Sequence, residues 1–84
     1  MENQVGAQNQ SRRIELGLTI ATVRKLGGLS QEMLAERAKI SRSHLSSIEA
    51  PRIARPFSLE VLYNLADALG VRAEDLLSAS VLGE

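Results

Sequence analysis

The sequence predicts an all-α fold, one small domain of five helices, and three observations carry that expectation. Hydrophobic residues make up 44% of the 84 residues but aromatic ones only 2%. The core must therefore be assembled from Leu, Ile, Val and Ala, which pack well between helices, without the aromatic residues that sheets favour. Apolar residues recur at spacings of three and four, the signature of a helix face. Helix punctuation is well placed, with serines just ahead of apolar runs and glycines just behind them.

Helix one is expected over 12–26, where Ile14, Leu16, Leu18, Ile20, Val23 and Leu26 form one face and Gly27-Gly28 closes the run. Ser30 caps helix two, with Gln31 and Glu32 behind it and Met33, Leu34 and Ala38 inward. This helix ends near Lys39, and Ser41 caps a third helix after a tight connection. There Leu45 and Ile48 point inward, leaving Arg42, Ser43, His44, Ser46 and Ser47 around the rest of the circumference. Pro51 ends helix three, and the stretch through Pro56 reads as an exposed loop carrying Arg52 and Arg55. Ser58 caps helix four, with Leu59, Leu62, Leu65, Ala66 and Leu69 inward and Gly70 as its stop. A short fifth helix is expected over 71–77. The chain thus divides into a flexible N-terminal arm (1–11), a domain (12–78) and a tail (79–84).

Composition narrows the function. The absence of cysteine removes disulfides, thiolate nucleophiles and Cys-based zinc sites. One histidine, no glycine-rich phosphate loop and no nucleophile elbow leave an enzyme without its parts, so no catalytic residue, metal or cofactor is expected. The polar first ten residues lack the apolar stretch of a signal peptide, and no apolar run approaches a membrane span, so a cytoplasmic setting is expected. The formal net charge is zero, but its distribution is uneven. Arg37, Lys39, Arg42, Arg52 and Arg55 face the single acid Glu49 in the middle of the chain. The tail carries Glu60, Asp67, Glu74, Asp75 and Glu84 against Arg72.

Two short helices joined by a tight turn, the second with small polar residues outward, are the arrangement that lets a helix enter a major groove. The run Gly28-Leu29-Ser30-Gln31-Glu32-Met33-Leu34-Ala35-Glu36-Arg37-Ala38, followed by Ile40-Ser41-Arg42-Ser43-His44-Leu45-Ser46-Ser47-Ile48-Glu49, resembles the helix-turn-helix of the XRE/Cro family, which includes the lambdoid phage repressors. The likeness extends over about residues 12–78, with the helix-turn-helix at about 30–49. It implies a lambda-repressor-like DNA-binding domain that acts as a transcriptional regulator, a homodimer on a pseudo-palindromic operator.

Carried over residue by residue, the resemblance places Arg42, Ser43 and Ser47 at base edges. Arg42 is the sharpest reader, because an arginine can bind guanine O6 and N7 bidentately. Gln31 falls where the family binds a phosphate and braces the reading residue. His44 and Ser46 lie at the edge of the face, where phosphate contact or plain solvation is expected. Arg52 and Arg55 are phosphate candidates on a loop that departs from the family's shorter, glycine-containing one. Arg12 and Arg13 are candidates for phosphate or minor-groove contact from the arm. Arg24 and Glu49 match a structural salt bridge of the phage repressors. Val71, Leu76, Leu77, Val81 and Leu82 exceed what one small helix needs internally and are candidates for a dimer surface, with ordinary core packing the alternative for the first three. Double-stranded DNA is thus the expected partner. A protein partner, such as a toxin held by an antitoxin of this fold, is the competing expectation, and net neutrality is its best support.

Overall fold

The computed structural model describes residues 2–50, 52 and 55–79, with side chains from residue 7 onward. The described residues form α1 (Glu2–Leu26), α2 (Gln31–Ala38), α3 (Arg42–Glu49), α4 (Leu59–Leu69) and α5 (Ala73–Ser78), with no strand among them.

One device starts three of these helices. The hydroxyls of Ser30, Ser41 and Ser58 accept from the backbone N–H groups of Met33, His44 and Val61 at 3.1, 3.0 and 3.1 Å. Each bond satisfies one of the amides that a helix start leaves without an intrahelical partner. At the fifth helix the roles reverse, and Asp75 reaches back to accept from the Arg72 N–H at 3.3 Å. Stops are equally local. Gly70 ends α4 in the left-handed conformation (φ 73°), and Val71 donates back to the Ala66 carbonyl at 3.0 Å. That bond holds Val71 in the turn, which is why α5 opens two residues later than its apolar pattern suggests. Between α2 and α3 the left-handed position falls on Lys39 (φ 60°), a residue with a side chain where glycine is usual.

The first helix differs most from expectation. It runs from Glu2, so most of the stretch read as an arm is helical, with the side chains of residues 7–12 exposed. Over residues 7–12 the exposed helix covers no core, so no apolar face is needed there. Its Ala, Gln and Glu are good helix formers, however, and adding turns to an established helix avoids the cost of nucleation.

Ile20 of α1, Leu34, Ala35 and Ala38 of α2, Leu45 and Ile48 of α3, Leu62, Leu65 and Ala66 of α4 and Leu76 of α5 form one core. Burying each of the larger side chains contributes about 1.5–3 kcal/mol relative to leaving it exposed. Leu76, read from sequence as a candidate dimer contact, belongs to this core at 2% exposure and is unavailable to a partner. The six-residue α5 has a single inward anchor, and Leu76 is it.

Gly17 sets how closely α1 approaches α3. A Cβ there would overlap the backbone carbonyl oxygen of Ile48, and it would stand 3.2 Å from the Ile48 carbonyl carbon and 3.5 Å from Glu49 Cα. The end of α3 is therefore seated on α1 backbone to backbone, which fixes the tilt of the helix whose other face is open to solvent.

Candidate nucleic-acid interface

The third helix is one turn of core and one turn of surface, superimposed. Leu45 and Ile48 anchor it, and Arg42 and Ser43 with Ser46 and Ser47, each pair four residues apart, share the opposite face. Arg42, Ser43 and Ser46 are exposed, and Ser47 is half-buried. Together with Ala50 they line a shallow depression running along the helix. Small hydroxyl side chains keep this face low, so the helix can approach a flat or grooved surface closely, with Arg42 in its first turn as the long side chain. Ser47 donates its hydroxyl hydrogen to the His44 carbonyl at 2.7 Å, which leaves its oxygen lone pairs to accept. His44 is half-buried at the edge of the face.

Behind this helix lies a polar cluster built from four segments. Arg24 of α1 donates from Nε to Glu49 Oε2 at 2.8 Å and from Nη2 to Oε1 at 3.0 Å, a bidentate pair. Its Nη1 donates to the Leu29 carbonyl at 2.8 Å. Gln31, the first residue of α2, donates from Nε2 to Glu49 Oε1 at 3.0 Å. Arg24 and Glu49 are 8% and 7% exposed, so both charges are largely removed from water. Such a pair holds geometry more than it adds net stability, and its planar fork makes that geometry specific. The cluster ties the start of α2 to the end of α3 and both to α1. No buried side-chain nitrogen or oxygen among the described residues lacks a partner.

The structure thus brings Arg42, Ser43, Ser46, Ser47 and His44 onto one helix, with Gln31, Arg24 and Glu49 immediately behind. Arg52 and Arg55 are exposed on the connection between α3 and α4. Arg12 and Arg13 fall elsewhere. They line a groove with Leu16 and with Leu76, Leu77 and Ala79 of the α5 end, and Arg12 sits roughly 18 Å along α1 from Arg24 at 1.5 Å per residue. Arg12 also donates to Asn9 Oδ1 at 3.3 Å within the helix. Val71 is half-buried against the core, and Leu77 is 59% exposed. Val81 and Leu82 lie outside the described residues.

Sequence reasoning misses two positions. Gly17 could have been flagged, since a glycine inside a helical pattern often marks close packing. Lys25 gives no such signal. It is a last-turn cation of α1, and only the folded chain sets it beside Gln31 and Ser46.

The helix-turn-helix family model matches residues 20–76, including the whole of α2, α3 and α4. The immunity repressor protein of Bacillus phage phi105 is 39% identical over 67 residues, which cover 80% of this chain and 45% of the repressor. The chain therefore spans less than half the length of that relative. Among solved structures, the restriction-modification controller protein C.AhdI from Aeromonas hydrophila superposes with a TM-score of 0.73 at 32% identity, covering 79% of this chain and 97% of the controller. The clp gene regulator ClgR from C. glutamicum does so with a TM-score of 0.71 at 32% identity, covering 79% and 83%. All three are regulatory proteins rather than enzymes. Shared helix order, a capped pair of short helices at 30–49 and a family match over more than half of its length show that this chain belongs to the XRE-type helix-turn-helix family of DNA-binding regulators.

Proposed function

We propose that the chain is a sequence-specific transcriptional regulator, a repressor that binds a pseudo-palindromic operator as a homodimer and works in the bacterial cytoplasm. The observation that carries this reading is the outward face of α3, where Arg42, Ser43 and Ser46 are exposed beside the half-buried Ser47 on a helix anchored from behind. Arg42 reads guanine in each half-site, while Ser43 and Ser47 contact neighbouring base edges. Gln31, Ser46, His44, Arg52 and Arg55 bear on phosphates. Arg12 and Arg13 are better placed for contacts around α5 than for the α3 face. The phage repressor, restriction-modification controller and clp gene regulator that resemble this chain support a regulatory role.

Two-fold symmetry follows from reach, since one helix reads only a few base pairs and a second copy doubles the contact. Leu77 is the described member of the apolar dimer set that remains exposed. The competing role, holding a protein partner such as a toxin, draws support from the zero net charge. The α3 face itself is small, polar and flanked by cations, which suits phosphate-lined grooves better than an apolar partner.

Selection of bound sequences from a random double-stranded pool tests this reading. A palindromic motif with a guanine in each half is the expected result. No enrichment even at low salt would transfer the fold to a protein partner.

A further inference from the structure

The polarity of the Ser47 hydroxyl is set before any DNA arrives. Its partner at 2.7 Å is the His44 carbonyl oxygen, which can only accept, so the single hydroxyl hydrogen is spent inside the chain. What Ser47 offers to the depression it lines with Arg42, Ser43, Ser46 and Ala50 is therefore an acceptor and nothing else. Ser43 and Ser46 differ. Both are exposed, and among the described residues no hydrogen bond within the chain fixes either hydroxyl. Each can turn to donate or to accept, as the facing base requires.

We infer that Ser47 selects an exocyclic amino group in the major groove, the N6 amine of adenine or the N4 amine of cytosine, and disfavours guanine and thymine at the same strand position. The inference rests on the DNA-binding reading above and gives one of its contacts a chemical identity. Adenine and cytosine carry a donor on the major-groove edge, whereas guanine and thymine present acceptors there. Against guanine or thymine the Ser47 oxygen would meet lone pairs with lone pairs, unless it gave up the His44 bond to turn its hydrogen outward. Arg42 obeys the opposite rule, because a guanidinium only donates.

The first turn of α3 thus calls for acceptors and the second for a donor, and this asymmetry distinguishes the two strands of a half-site. Serine hydroxyls also bond to carbonyls one turn back for local reasons alone, and the test must separate that structural role from base selection.

Selection from a random duplex pool is run with the full chain, Ser47→Ala and Ser43→Ala, with a thermal melt of each protein. The position whose preference fades only in Ser47→Ala marks the pair under this residue, and its identity, A·T or C·G, names the base. That pair is then rebuilt without its major-groove amine, using 2-aminopurine for adenine or 2-pyrimidinone for cytosine, and the proteins are titrated against both duplexes by fluorescence anisotropy. The wild type is expected to lose roughly two- to tenfold per half-site on the altered duplex, the worth of one hydrogen bond. Ser43→Ala should lose as much, and Ser47→Ala should lose less by that factor, since any change in the duplex itself is common to all three proteins. Equal losses in wild type and Ser47→Ala would overturn the inference and leave the DNA-binding reading intact. So would a Ser47→Ala protein that melts lower and binds every sequence more weakly with no position changed, which would make the His44 bond purely structural. If the wild type enriches no sequence, both readings fall together.

Discussion

Replacing Glu49 by alanine removes a carboxylate that accepts three hydrogen bonds, two from Arg24 and one from Gln31. The Arg24 guanidinium would stay where it is, 8% exposed, with the Leu29 carbonyl as its remaining partner. Breaking one side of a buried pair typically costs about 3–5 kcal/mol, because the survivor is a buried charge without compensation. An 84-residue domain has a total stability of about 4–13 kcal/mol at roughly 0.05–0.15 kcal/mol per residue. The substitution thus removes a large share of it, and the melting temperature should fall by at least about 12 °C at roughly 4 °C per kcal/mol. Far-UV circular dichroism during thermal and urea unfolding measures this directly. The double variant Arg24→Met/Glu49→Leu removes both charges and should be more stable than Glu49→Ala alone, since replacing a buried pair with apolar groups is far milder than orphaning one member. A Glu49→Ala protein within about 0.5 kcal/mol of the wild type, the range of an inert surface change, would refute the reasoning.

Gly17→Ala pits two effects against each other. Helix propensity favours alanine by about 1 kcal/mol, but the new methyl meets the Ile48 carbonyl, and backbone cannot swing aside as a flexible side chain can. A net loss of about 1–3 kcal/mol is expected in urea unfolding, and a stabilised variant would disprove the close approach of α1 and α3. Leu76→Ala and Leu77→Ala separate core from surface. The first should lose about 2–5 kcal/mol of stability. The second should melt like the wild type yet shift the proposed dimer towards monomer in sedimentation velocity, and an unaltered dimer would place the interface away from Leu77.

How much of this was legible in the sequence depends on how local each cause is. The starts of α2, α3 and α4 were, because a serine ahead of an apolar run fixes its own bond three residues on. The start of α1 was not, since residues 7–11 are exposed helix that covers no core and so carry no apolar period. Leu76 and Leu77 are indistinguishable in a six-residue helix until it is docked. Arg24 and Glu49 are 25 residues apart, beyond what spacing can pair, and family resemblance supplied that match. Lys25 joins Gln31 and Ser46 only through the packing of three helices.

The central claim, that α3 reads DNA through Arg42, is tested most directly by the affinity of wild type and Arg42→Ala for one selected site and one scrambled duplex at the same salt concentration. The account predicts a loss of roughly 1–3 kcal/mol per guanine contact on the selected site, and little change on the scrambled duplex beyond the loss of one charge. Equal affinity of the two proteins for the selected site would contradict it.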